Sequence, residues 1–390
     1  MNLALENAVP SRTGERVSAL VVTAVPLLFL LAGLVIRYAA FLSISDETGW
    51  SPFVDALCKW DCSWYIGIAE GGYEPYPTPD GRNVGAWGFF PLYPTLVGLL
   101  APLSPLRTID FATLMSLAVS YCACLCAWPL LGRELRTYTL YCAFLLAGPF
   151  SVYHSTFLTE PLFVLLTILV LLALKRSNYI AAAGFAALLS ATRIVGVFMV
   201  FPIVIQMFMD HRRTGGTVLS FPRHLLGRPD LLLAIFLAPV GLFAYMLFLH
   251  LLLGDGFAFA HVQRAFGRTM NWPFLFLWDG LVSFPREGWW PTAPQISAVT
   301  VLLGLGLSLW LFFGRRQYGI ATFCLIAIIL PIFSGLASTV RYITALSPLT
   351  LELSVLLSRW RVLAGIAAAA FMIACYFTTR AWLEAHLALV

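Results

Sequence analysis

Runs of about twenty consecutive apolar residues recur along this chain, and no other feature restricts its fold as strongly. About 20 such residues in a helix cross a hydrocarbon core roughly 30 Å thick, and inside lipid only a helix or a closed barrel satisfies its own backbone. The first run covers about Val17 to Phe41, too long for a signal-peptide core and without a convincing cleavage site. Others fall at about Phe111–Leu131, Tyr138–Phe150, Pro161–Leu174, Leu231–Leu253, Ile296–Phe313, Gly319–Ala337, Ile343–Leu357 and Val362–Phe377. The chain is 60% hydrophobic and 11% charged, a balance with which a soluble protein could not cover its own surface. The expected fold is an all-α polytopic membrane protein with membrane lipids as its solvent. With no internal repeat and no low-complexity linker, it forms a single domain over residues 1–390.

Charge between the runs orients them. Arg12 and Arg16 precede the first span and predict a cytoplasmic N-terminus. Arg133/Arg136, Lys175/Arg176, the Arg212–Arg228 stretch, Arg315/Arg316 and Arg359/Arg361 are then all cytoplasmic only if Tyr179–Met209 crosses twice or not at all. Two short helices meeting at Ala191-Thr192-Arg193 satisfy that condition, giving about eleven spans and termini on opposite faces. The net charge of +5 comes almost wholly from arginine, since Lys59 and Lys175 are the only lysines, and no basic tract points to nucleic acid. Sparse lysine in a compact chain suggests a bacterial inner-membrane protein.

Two long loops fall on the outer face in this scheme, residues 42–110 and 254–294. The first carries Asp46, Glu47, Asp55, Asp61, Glu70, Glu74 and Asp80. Its apolar tail, Phe89-Phe90-Pro91-Leu92-Tyr93-Pro94 onward to Leu103, is short and broken by proline, and reads as an interfacial or re-entrant helix. The second contains Trp272, Trp278, Trp289 and Trp290, suited to headgroup anchoring or to stacking on a substrate. Six cysteines lie inside apolar runs as small core residues, whereas Cys58 and Cys62 flank Trp60-Asp61 and can join only if that segment is not a regular helix.

The segment around Asp61 concentrates groups able to do chemistry. In a helix, Asp61, Trp64, Tyr65 and Ile68 share a face, standing a carboxylate beside two rings at the membrane surface. That arrangement could hold a sugar; equally it could be an amphipathic interfacial helix whose aspartate caps or is solvated. Arg193 and Arg341 are cationic groups near the outer surface, where guanidinium forks suit phosphate. Their structural alternatives are a carbonyl partner for Arg193 and a snorkelling position for Arg341. No zinc spacing, P-loop or dinucleotide fingerprint is present.

WDCSWYIGIAEGGY at 60–73, FFPLYP at 89–94 and TFLTEPLF at 156–163 resemble the PIG-V type of mannosyltransferase (GPI mannosyltransferase II-like), of the GT-C class of polyprenyl-phosphate-sugar-dependent glycosyltransferases. ATRIVGV at 191–197 and TVRYITALSPL at 339–349 are similar to later family segments, although the family's Ser-Asn pair does not follow Arg193. The resemblance implies a GT-C-like bundle with its active site facing the periplasm or exterior. It implies catalytic roles for Asp61, in the first external loop, and Glu160, after the third span. Trp60, Trp64, Tyr65, Tyr73, Arg193, His261, Arg264, Arg341 and Tyr342 become candidate contacts to a polyprenyl-phosphate sugar donor or to a glycolipid, glycan or protein acceptor. Asp61 is the expected general base; Glu160 would orient the acceptor or join Asp61 in holding a divalent cation, Mg or Mn. Its plainer reading is a loop carboxylate stabilised by a helix dipole. A secondary transporter or lipid-linked-sugar flippase, and a polysaccharide polymerase or ligase, are the alternatives to such a transferase.

Overall fold

In a computed structural model the described residues are 17–78, 84–268, 270–283 and 292–385, so the expectations resting on Arg12, Arg16, Asp80, Trp289 and Trp290 lie outside them. The described residues are all-helical, with no strand. The N-terminal half contains α1 (Ala19–Leu42), α2 (Trp50–Leu57), α3 (Asp61–Gly71), α4 (Leu92–Leu100), α5 (Thr108–Ala127), α6 (Leu135–Ala147), α7 (Glu160–Lys175), α8 (Tyr179–Ser190) and α9 (Val200–Arg213). There follow α10 (Phe221–Leu226), α11 (Pro229–Leu237), α12 (Val240–Leu253), α13 (Ala258–His261), α14 (Pro273–Val282) and α15 (Ala293–Leu309). The chain closes with α16 (Tyr318–Ile332), α17 (Thr339–Thr344), α18 (Ser347–Leu357) and α19 (Arg361–Leu383).

Five helices, α1, α5, α15, α19 and the one running from Ile194 through α9, are long and apolar enough to cross a membrane by length and composition; α11 and α12 together make a sixth, bent by 48°. Their outward faces are apolar: Leu20, Leu28, Leu31 and Val35 on α1 and Val362, Ile366, Ile373 and Phe377 on α19 are all exposed. In water such stripes would drive aggregation, and in lipid they are solvated. The chain is a multi-pass helical membrane protein.

Several expected spans are broken, each for a local reason. The Leu231–Leu253 run parts at Ala238-Pro239, where proline removes a backbone donor and clashes with the preceding turn. The Ile343–Leu357 run divides into α17 and α18 where Leu346 leaves helical geometry at ψ 88°, and Pro348, whose missing N–H is no loss in a first turn, sits at the start of the new helix. The Tyr138–Phe150 run begins earlier, at Leu135, and ends at Gly148-Pro149. The division at Ala191-Thr192-Arg193 is present: α8 stops at Ser190, Arg193 is extended, and a 3₁₀ stretch, Ile194–Met199, leads into α9. The 92–103 segment is a short helix, α4, followed by one 3₁₀ turn.

The two ends of the bundle differ in character. α7 is about 24 Å long at 1.5 Å per residue, with Glu160 at one end and Lys175 at the other. At the Lys175 end the basic loops meet one another: Lys175 donates to the Pro129 carbonyl, Arg136 to the Ser358 carbonyl and Arg315 to Glu352. At the Glu160 end lie α2, α3 and the C-terminal part of α19, whose Trp382 indole donates to the Leu57 carbonyl at 2.9 Å.

α3 is held in place by close approach to α4. A Cβ on Gly98 would fall on the carbonyl oxygen of Ala69, so only glycine admits this packing. Gly98→Ala should therefore force the two helices apart and cost about 1–3 kcal/mol, read as a lowered unfolding temperature of the purified protein in detergent.

Candidate functional site

The polar centre is assembled from four chain segments. Asp61 opens α3, and its carboxylate is set by the turn before it. α2 ends at Leu57 with Cys58 capping it, Trp60 takes a positive φ of 58°, and a disulfide joins Cys58 to Cys62 across the break. The condition for that bridge is thus met, since Lys59-Trp60 interrupts the helix. Positive φ is a strained conformation for so bulky a side chain. A second strained residue, Ser338 at φ 64°, immediately precedes α17, which carries Arg341. Glu160 is the first residue of α7 and is followed by Pro161, and every residue from Ser151 to Glu160 is buried. Arg193 enters from the gap after α8.

Arg341 sits between the two carboxylates. Its Nη1 donates to Asp61 Oδ2 at 2.7 Å and its Nε to Glu160 Oε1 at 2.8 Å. Arg193 Nη1 donates to the same Glu160 Oε1 at 3.1 Å. Side-chain exposure falls from 29% at Asp61 and 10% at Arg193 to 2% at Arg341 and 1% at Glu160, so the network opens outward at Asp61. Glu160 lies at the N-terminus of α7, where a helix dipole favours a carboxylate, but it is buried and paired with two arginines; Arg341 does not snorkel, and Arg193 pairs with a carboxylate rather than a carbonyl. Glu160 Oε2 is buried and has no hydrogen-bond partner among the described residues.

Rings close the centre. The Arg193 guanidinium lies 4.3 Å from the centroid of Tyr342, in the range of a cation–π contact. Burial pushes the Tyr342 hydroxyl up, but Arg268, Arg193 and Arg341 together outweigh it and leave the group below its ordinary value. Three guanidiniums thus act on one phenol. Tyr65 is the reverse case: burial, then the charges of Asp61 and Glu160, push its hydroxyl up and keep it a neutral donor. Tyr65 stands edge-on to Phe89, on which Trp64 stacks at 5.5 Å, and Phe266 of the second long loop meets both Trp64 and Phe89 edge-on.

The expected site residues divide accordingly. Asp61, Glu160, Arg193, Arg341, Tyr342 and Tyr65 come together, with Trp64 in the adjoining aromatic wall. Trp60 is partly exposed at the start of α3. Tyr73 lies elsewhere, packing on Tyr245 and Phe248 and donating to the Phe89 carbonyl at 2.6 Å, which braces the loop carrying the wall. His261 is exposed and bonded to Asp255 at 2.7 Å, an interaction that holds the Asp255 carboxyl below its usual range, and Arg264 is exposed. The residue that sequence reading passes over is Arg268, partly buried, with its Nη2 3.3 Å from Ser338 Oγ. A signal existed: it is an arginine kept on a loop assigned to the outer face, against the positive-inside bias. The chain matches no family model and no curated protein.

Two outcomes follow. Glu160→Gln leaves Arg341 and Arg193 without their shared counter-charge and should destabilise the fold by about 3–5 kcal/mol, seen as a large drop in unfolding temperature. Cys58→Ser should cost about 2 kcal/mol for so short a loop, and thiol alkylation followed by mass analysis should find Cys58 and Cys62 protected until a reductant is added.

Proposed function

We propose that this protein is a membrane glycosyltransferase of the GT-C class, similar to the PIG-V type, moving a monosaccharide from a polyprenyl-phosphate donor to an acceptor hydroxyl. Mannose or a related hexose is the sugar, and a glycolipid, glycan or protein supplies the hydroxyl. The observation that carries this reading is the meeting of Asp61, Glu160, Arg193 and Arg341 in one hydrogen-bonded network at one end of the bundle. Eleven crossings with a cytoplasmic N-terminus, in a bacterial inner membrane, would turn that end to the periplasm. The gathering of basic loops at the Lys175 end supports this orientation.

In the proposed reaction the acceptor oxygen attacks the anomeric carbon while the bond to the phosphate oxygen breaks, inverting the centre. The acceptor proton passes to Asp61, the most exposed member of the network, and the bonding pair leaves with the polyprenyl phosphate. Phosphate is already a good leaving group, so assistance is needed chiefly at the weak nucleophile, where a general base contributes about 10²–10⁴-fold. Arg341 acts as a positioning residue, its two donors committed to carboxylates. Arg268 and Arg193 are better placed to meet the phosphate, and the wall of Trp64, Phe89 and Phe266 offers ring faces to a sugar.

Purified protein incubated with radiolabelled polyprenyl-phosphate monosaccharides and a membrane glycolipid extract should generate a labelled product. Asp61→Asn should lower that rate by about 10²–10⁴-fold while preserving elution profile and donor binding. Near-normal turnover in the variant would remove Asp61 as base. No turnover with any lipid-phosphate donor would favour a transporter, for which the broken α11–α12 pair and the Arg193 gap are the relevant features.

A further inference from the structure

The Asp61–Glu160 pair invites comparison with a divalent-cation site, and the residues do not fit one. Two carboxylates from separate segments face a common space, but the guanidinium of Arg341 fills it, with one nitrogen on each carboxylate at 2.7 and 2.8 Å. Glu160 Oε1 is engaged a second time by Arg193 at 3.1 Å. A dication bridging these oxygens would meet two fixed positive charges at close range, in a buried setting where repulsion is poorly screened. Among the described residues no group of three or more His, Cys, Asp or Glu side chains is arranged to hold a metal, and Mg or Mn ordinarily takes six oxygen-rich ligands.

We infer that Arg341 is the resident cation of this centre: its guanidinium joins Asp61 to Glu160 in the place a divalent ion would bridge, and excludes such an ion. Unlike a metal, this cation is planar and covalently tethered. It fixes Asp61 Oδ2 along one direction and leaves the carboxylate's remaining lone pairs toward the open side. Its charge does not depend on ion supply, and chelation cannot strip it. Removing the guanidinium takes away the bridging charge and leaves Asp61 Oδ2 and Glu160 Oε2 without a partner among the described residues, with Arg193 still on Glu160 Oε1. The inference concerns the charge of the centre and holds whatever group the site transfers.

Mn²⁺ binding to purified full-length protein in detergent, followed by electron paramagnetic resonance, tests it without any turnover measurement. Wild type and Asp61→Asn should bind Mn²⁺ indistinguishably, with no component that depends on the carboxylate. Arg341→Gln, which keeps a polar side chain of lesser length and no charge, should gain one Mn²⁺ per chain, and Arg341→Gln/Asp61→Asn should lose it again. A stoichiometric Mn²⁺ in wild type that disappears in Asp61→Asn would overturn the inference, as would a folded, monodisperse Arg341→Gln that gains none. Should Arg341→Gln fail to fold, the comparison of wild type with Asp61→Asn decides alone.

Discussion

The buried ion pairs of Arg341 set the terms for the rest of this structure. A guanidinium at 2% exposure has given up its water and must recover that loss from partners of good geometry. Here it does so with two carboxylates, one of which also answers Arg193. Because each partner is covalently fixed to a different part of the chain, the network constrains α3, α7, α17 and the gap after α8 at once. It is a condition on tertiary structure: the bundle can close only with Asp61, Glu160 and Arg193 all presented to the same point.

Broken helices are how the chain meets that condition. A continuous helix would carry its side chains around a cylinder at 100° intervals and end its polar residues in lipid. Instead, α2 and α3 part at Trp60, α8 stops before Arg193, and α17 is a six-residue piece between α16 and α18. Each break exposes backbone that must be covered by protein, and each lies at the network. The strain at Trp60 and Ser338 belongs to the same economy of shape, since both residues adopt a positive φ directly beside helices bearing Asp61 and Arg341.

How far this was legible in the sequence depends on the range of the interaction concerned. The membrane class follows from apolar runs, a local property. The interruption at Ala191–Arg193 follows from charge parity, because the basic loops on either side share a face only if the run crosses twice or not at all, and two short helices meeting at the arginine meet that condition. The grouping of Asp61, Trp64 and Tyr65 along α3 follows from spacing. The splits at Pro239 and before Pro348 were also written locally, but the apolar content of those runs outweighed their prolines in a reading by length. The partnership of Arg341 with Asp61 was not legible, since it spans 280 positions and no periodicity encodes it. For the same reason Arg341 reads from sequence as a phosphate ligand or a snorkelling side chain, and Arg268 only as an arginine out of place on an outer loop.

The charge balance of the centre bears on what it can receive. Asp61 and Glu160 are matched against Arg193 and Arg341, and Arg268 stands beyond them, so the group formed by these five residues carries two negative and three positive charges. One positive charge is therefore left over, acting on the buried hydroxyl of Tyr342 from the partly buried Arg268. A neutral sugar alone would leave that excess unanswered, and a second cation would enlarge it. An anion entering from the Asp61 side would neutralise it while the aromatic wall took the uncharged part of the same molecule. The phosphate-linked sugar proposed above as donor would have both properties, and the two demands arise from different residues of the centre.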